Sequence, residues 1–107
     1  MSSWKYDLGS VGSELKKTIH SAEENVQDCI KILNQLVVCF ESIKQMVSEK
    51  EYFWYFAGNE EFIRGVLVEF ENSASAPDDY EDAQAIVNDA LDEFYDSCDS
   101  LRIWIGV

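Results

Sequence analysis

The sequence predicts a mainly α-helical protein: a small bundle with a long N-terminal helix and a minor β pair from the termini. Three observations predict it. Apolar residues step by four and three from Leu15 to Val47, the period of a helix face. A second stripe with the same period runs from Tyr80 to Leu101. The chain has 107 residues, which suits a single domain, because two separate cores in so short a chain would each be marginal.

Residues 1–9 read as a short extended arm, with Trp4, Tyr6 and Leu8 alternating and Gly9 ending it. Ser10 or Ser13 can cap the helix that begins there. Leu15, Ile19, Ala22, Val26, Cys29, Leu33, Leu36, Phe40, Ile43 and Val47 then repeat an a/d pattern, and Ile30 and Val37 widen it into the stripe of a core helix. Unbroken, such a helix is about 60 Å long. A compact chain of this size has a radius of gyration near 13 Å, roughly 35 Å across. The helix therefore protrudes, kinks or packs against another chain, and homodimerisation through it is one expectation.

Tyr52, Phe53, Trp54, Tyr55 and Phe56 are five consecutive aromatics. On a helix they point all round, so one face is left over unless something covers it. The run is either a buried corner between two helices or a hydrophobic partner surface. Ala57-Gly58-Asn59 reads as the break after it, with Gly58 as the residue closing a helix. Residues 60–72 carry Phe62, Ile63, Val66, Leu67 and Phe70 at helical spacing, with a strand as the alternative because Gly65 is a poor interior helix residue. Residues 72–77 are a loop, and Ser75-Ala-Pro-Asp78 reads as the start of the last helix, about 77–101. Residues 103–107 can pair as a short strand with the N-terminal arm.

The charge is unevenly spread. The chain holds 21 acidic and 8 basic residues, a formal net charge of −13. Residues 1–50 have 7 acidic and 6 basic side chains, residues 51–107 have 14 and 2. No Lys or Arg lies between Arg64 and Arg102. Asp78, Asp79, Glu81, Asp82, Asp89, Asp92, Glu93, Asp96 and Asp99 fall on the last helix, and all but Asp79 project within an arc of about 120°. Solvated helix faces usually mix signs, because opposite charges one turn apart stabilise and like charges cost. Asp96 and Asp99 also crowd the helix C-terminus, where the macrodipole disfavours anions. Three explanations compete: a contact for a basic protein, a divalent-cation site, or a solubility surface. Asp78-Asp-Tyr-Glu-Asp82 lacks the loop spacing and mid-loop glycine of a calcium loop, so no metal and no cofactor are expected.

An acidic chain lacks the clustered cations that grip nucleic acid or an anionic membrane. Its longest apolar runs are too short to span a bilayer. MSSWKYDLGS has no basic segment followed by an apolar one, so a cytoplasmic location is expected. Cys29, Cys39 and Cys98 are an odd number without metal or redox spacing, fitting buried free thiols in a reducing compartment. The lone His20 could meet only Cys98, through tertiary folding, so no catalytic residue is assigned and the chain is read as a non-enzyme.

Carboxylates one turn apart are about 5–6 Å from each other, which approaches the phosphate spacing of a nucleic-acid strand. In size, charge and aromatic-acidic composition, with the 78–99 carboxylates and Tyr52–Phe56, the chain resembles small acidic inhibitors of phages and bacteria. These are DNA-mimic anti-restriction proteins, anti-CRISPR proteins and immunity proteins of nuclease toxins. The resemblance implies a stoichiometric inhibitor that binds a basic nucleic-acid-handling protein, with Asp78, Asp82, Asp89, Asp92, Glu93, Asp96 and Asp99 as the contact row. Tyr95-Asp-Ser-Cys-Asp99 also matches the Tyr-x-x-x-Asp export pattern, so the chain resembles WXG100-type secreted helical hairpins too. Trp54-Tyr-Phe-Ala-Gly58 departs from that family, with three residues between Trp and Gly rather than one.

Overall fold

The computed structural model describes residues 3–72 and 79–106. Five helices, α1 (Ser10–Ser21), α2 (Val26–Lys44), α3 (Glu49–Tyr55), α4 (Ala57–Glu71) and α5 (Tyr80–Ser100), lie between two short strands, β1 (Tyr6–Asp7) and β2 (Ile103–Trp104). The mainly helical class and the pairing of the terminal segments both hold.

The long N-terminal stripe is divided between two helices. Ala22 leaves the helical region with ψ 137°, and Asn25, at φ −149°, caps α2. The Asn25 side chain accepts from the Asp28 N–H at 2.8 Å, and Asp28 Oδ2 accepts from the Glu23 N–H at 2.6 Å. That backbone hydrogen bond from Glu23 holds the Asp28 carboxyl below its usual range. The reciprocal cap satisfies orphan donors at the helix start, so the chain turns at 22–25 and α1 folds back on α2. The structure extends 47 × 28 × 18 Å with a radius of gyration of 14.0 Å, too short for the rod of about 60 Å. An elongated helix as the basis of a dimer is therefore removed. The apolar period survives the turn because each half buries its own stripe, Leu15 from α1 and Leu33, Leu36, Phe40 and Ile43 from α2.

Ser48 starts α3 with a complete capping box. Its hydroxyl accepts from the Glu51 N–H at 3.1 Å, and Glu51 Oε1 accepts from the Ser48 N–H at 3.2 Å. The break between α3 and α4 falls at Phe56, with φ −125° and ψ −29°, one residue earlier than Ala57-Gly58-Asn59. Gly58 sits in the first turn of α4 and closes no helix. Residues 60–71 are helical, as their spacing favours. The Ser75-Ala-Pro-Asp78 helix start lies outside the described residues, and Asp79 is the observed cap, accepting from the Glu81 N–H at 2.9 Å. Neither Ser10 nor Ser13 caps α1. Gly9 occupies that position at φ +61°, in the left-handed region that glycine adopts without strain.

The core is centred on three mutually contacting rings. Phe40 from α2 meets Phe94 from α5 edge-on at 5.6 Å, and Phe56 lies 6.2 Å from both, the offset geometry aromatic pairs favour. At the other end β1 and β2 pair in parallel, Tyr6 opposite Ile103 and Asp7 opposite Trp104. Arg102, at φ +57°, turns the chain out of α5 into β2. The tail beyond β2 runs so close to α1 that a Cβ on Gly12 would collide with the Ile105 carbonyl oxygen. Lys16 donates to the Gly106 carbonyl and lies over the Trp104 ring, locking the tail down.

Candidate acidic interface

The α5 helix lies on the core through Ala83, Val87, Ala90, Leu91, Phe94 and Cys98. Two polar bonds fix its rotation. Buried Asn59 of α4 donates through Nδ2 to the Ala90 carbonyl at 3.1 Å, and the Ser97 hydroxyl donates to the Tyr55 carbonyl at 2.8 Å. With that side held against α3 and α4, Asp82, Asp89, Asp92, Glu93, Asp96 and Asp99 are all exposed. Asp78 lies outside the described residues. Among the described residues, no ion pair reaches a carboxylate of α5. The last turn of α5 contains no basic residue either.

Four of the cations pair with carboxylates on other faces. Lys17 pairs with Glu14 at 3.6 Å and Lys31 with Asp28 at 3.5 Å, each one turn apart on its own helix. Lys44 of α2 and Arg64 of α4 converge on Glu60, at 3.0 and 2.8 Å, and both also reach Glu41, at 3.3 and 2.6 Å. Glu60 is only 7% exposed and also accepts from the Tyr52 hydroxyl at 2.5 Å. Burial pushes the Glu60 carboxyl up, but the hydrogen bonds from Tyr52, Arg64 and Lys44 outweigh it and hold it below its ordinary range. Burial and the same Glu60 bond drive the Tyr52 phenol strongly upward. This clamp joins α2, α3 and α4. Its local signals in the sequence are the four-residue spacing of Glu60 and Arg64 and the three-residue spacing of Glu41 and Lys44; the meeting of those two pairs with each other and with Tyr52 is tertiary.

The aromatic run is divided between the core and solvent. Tyr52 and Phe56 are buried and stack at 5.6 Å, and Tyr55 is half-buried. Phe53 and Trp54 stand in solvent at 74% and 77% exposure. The three thiols are buried and unpaired with one another. Burial pushes Cys39 up to about 12 and Cys98 further still, so neither supplies a thiolate near neutral pH. His20 is exposed at the end of α1. Among the described residues no group of three or more His, Cys, Asp and Glu is placed to hold a metal ion, and no helix is long and apolar enough to cross a membrane. Comparison of the chain with protein-family models, with curated proteins and with solved structures found no match.

Proposed function

We propose that the chain is a non-enzymatic inhibitor, acting in the cytoplasm, that binds a basic nucleic-acid-handling protein through the exposed face of α5. One observation carries the reading. Six carboxylates, Asp82, Asp89, Asp92, Glu93, Asp96 and Asp99, stand in solvent without a cationic partner among the described residues, while Lys44 and Arg64 converge on a buried Glu60 instead. Folding is better served by mixed signs on a helix face, so the segregation fits an external cation-rich surface. Such a surface is what a nuclease presents to phosphates. An acidic helix there competes with nucleic acid by charge and spacing, with fast, salt-sensitive association. The resemblance to small acidic phage and bacterial inhibitors implies the same kind of stoichiometric blocking contact. A secreted two-helix hairpin has less support, since Trp54 and Gly58 belong to two helices of five rather than to one interhelical turn.

The test is Asp89→Lys, Glu93→Lys and Asp96→Lys combined, with binding to a panel of purified bacterial nucleases measured by calorimetry at low and high salt. The expected outcome is a nuclease whose binding weakens steeply with salt and is lost in the triple variant, with the circular dichroism spectrum unchanged. Binding that survives the triple change would show that α5 is not the contact.

A further inference from the structure

A recess of about 260 Å³ lies between the turn that joins α1 to α2 and the first half of α5. Drug-sized ligands occupy pockets of roughly 300–1,000 Å³, so this one is sized for a small group or a single side chain. Its floor is apolar, with Ile19 half-buried and Ile32, Val87 and Leu91 buried. Its mouth is polar and exposed, Glu23 and Glu24 on one wall and Gln84 and Asn88 on the other. Among the described residues no ion pair reaches Glu23 or Glu24.

Both walls are held. The Glu23 N–H donates to Asp28 Oδ2 at 2.6 Å, and the Glu23 carbonyl accepts from the Asn25 N–H at 2.9 Å. The backbone that carries the two carboxylates is therefore fixed before anything binds, which lowers the cost of binding. The opposite wall is α5, and it leads straight to the acidic face. Asp92 lies one helical turn beyond Asn88, and Glu81 one turn before Gln84; both carboxylates are exposed. Carboxylates thus stand on either side of an apolar floor. That lining suits an apolar stem ending in a cation, the make-up of a long basic side chain. A guanidinium matches adjacent carboxylates better than an ammonium, because it is planar, offers several donors and is weakly hydrated. A second copy of the chain is a poor occupant, because it brings another −13. We propose that the recess receives one arginine side chain of the basic partner, its stem on Val87 and Leu91 and its guanidinium at the Glu23–Glu24 lip. The inference rests on the acidic-face reading and extends that interface across to the α1–α2 turn.

Three short capped glycine-serine peptides test it, each with one variable residue: arginine, citrulline or diaminopropionate. Binding is followed by NMR on the methyl groups of Ile19, Val87 and Leu91, and hexalysine is titrated separately as a probe of the α5 row. The arginine peptide is expected to shift those methyls. Diaminopropionate keeps the charge but is two methylenes shorter, and is expected to bind about tenfold more weakly. Citrulline keeps the stem but loses the charge, and is expected to bind about fivefold more weakly. Glu23→Gln with Glu24→Gln, both exposed and so harmless to folding, is expected to bring arginine down to the citrulline level. Gln84→Trp, also exposed, is expected to block the recess and abolish the methyl shifts, with the circular dichroism spectrum unchanged. Three peptides that bind alike, or methyls that stay still while hexalysine moves the Asp89–Asp99 amides, would overturn the recess and leave the acidic face standing. An arginine preference at the methyls with no hexalysine effect on those amides would keep the recess and remove the acidic face. Silence from all four probes would overturn both.

Discussion

Two regions of this molecule treat the same side-chain types in opposite ways. On the α2–α4 side, Glu41, Lys44, Glu60 and Arg64 interleave, and each charge has a partner within 3.3 Å. On α5 the carboxylates repeat without an interposed cation, and among the described residues no ion pair reaches them. The first arrangement uses its charges inside the fold, where a buried carboxylate demands compensation. The second holds them outside it. Net charge alone does not separate these cases; the distribution of partners does.

The contrast breaks most visibly at Glu60. Replacing it with Ala leaves the Tyr52 hydroxyl and two converging cations without their common acceptor. Because the Lys44 and Arg64 heads reach solvent, the loss sits below that of a fully buried pair, at about 2–3 kcal/mol. Urea unfolding of the variant checks this. An equal substitution at Asp92, exposed and unpaired, is expected to leave the midpoint unchanged within error. The pH dependence comes from the direction of the Glu60 shift. Its folded-state carboxyl titrates below the ordinary value of 4.5, so its stabilisation is complete above about that pH and is lost as pH falls through the folded-state value. Glu60→Gln is therefore expected to flatten the acid limb of the stability curve. An acid limb as steep in the variant as in the parent chain would remove Glu60 from this role.

A smaller effect is expected at Asn59, which ties α4 to the underside of α5. Asn59→Ala deletes a donor to the Ala90 carbonyl, and a neutral hydrogen bond of this kind contributes about 1 kcal/mol. Hydrogen exchange is the sharper measurement. Protection is expected to fall in α5 while the clamp between α2 and α4 keeps its own. Uniform loss across both regions would mean that they unfold as one unit and that the contrast stops at the surface.

The sequence made much of this legible, and unevenly. The α5 stripe and its acidic opposite face were readable because both depend only on helical period, which the helix keeps from Tyr80 to Ser100. The terminal β pair was readable from Tyr6 and Ile103 lying beyond the helical stripes. The turn at 22–25 was not, because the apolar period stays in phase across it; its cue was Asn25 with Asp28 three residues on, a cap signature inside an apparently continuous stripe. The Glu60 clamp was hidden for a different reason. It gathers residues 41, 44, 52, 60 and 64 from three helices, and no one-dimensional pattern ranks that carboxylate above its exposed neighbour Glu61. The split of the aromatic run needed the rotation of α3, which is set by the break at Phe56.

The least disruptive way to sharpen the comparison is at the far end of α5. Asp99 sits in the last turn, where unsatisfied carbonyls leave partial negative charge, and Asp96 lies one turn before it. No ion pair within the described residues compensates either. Asp99→Lys replaces an anion with a cation at the end that favours it, an exchange worth roughly 0.3–1 kcal/mol, or about 2–6 °C in a domain of this size. Thermal unfolding at low salt is expected to show that rise, and at high salt to show less of it, because screening shortens the reach of exposed charges. The same change is expected to weaken a basic partner. Stability and binding moving in opposite directions at one residue is what a surface maintained for a partner produces. A solubility surface would gain stability at Asp99 with nothing lost.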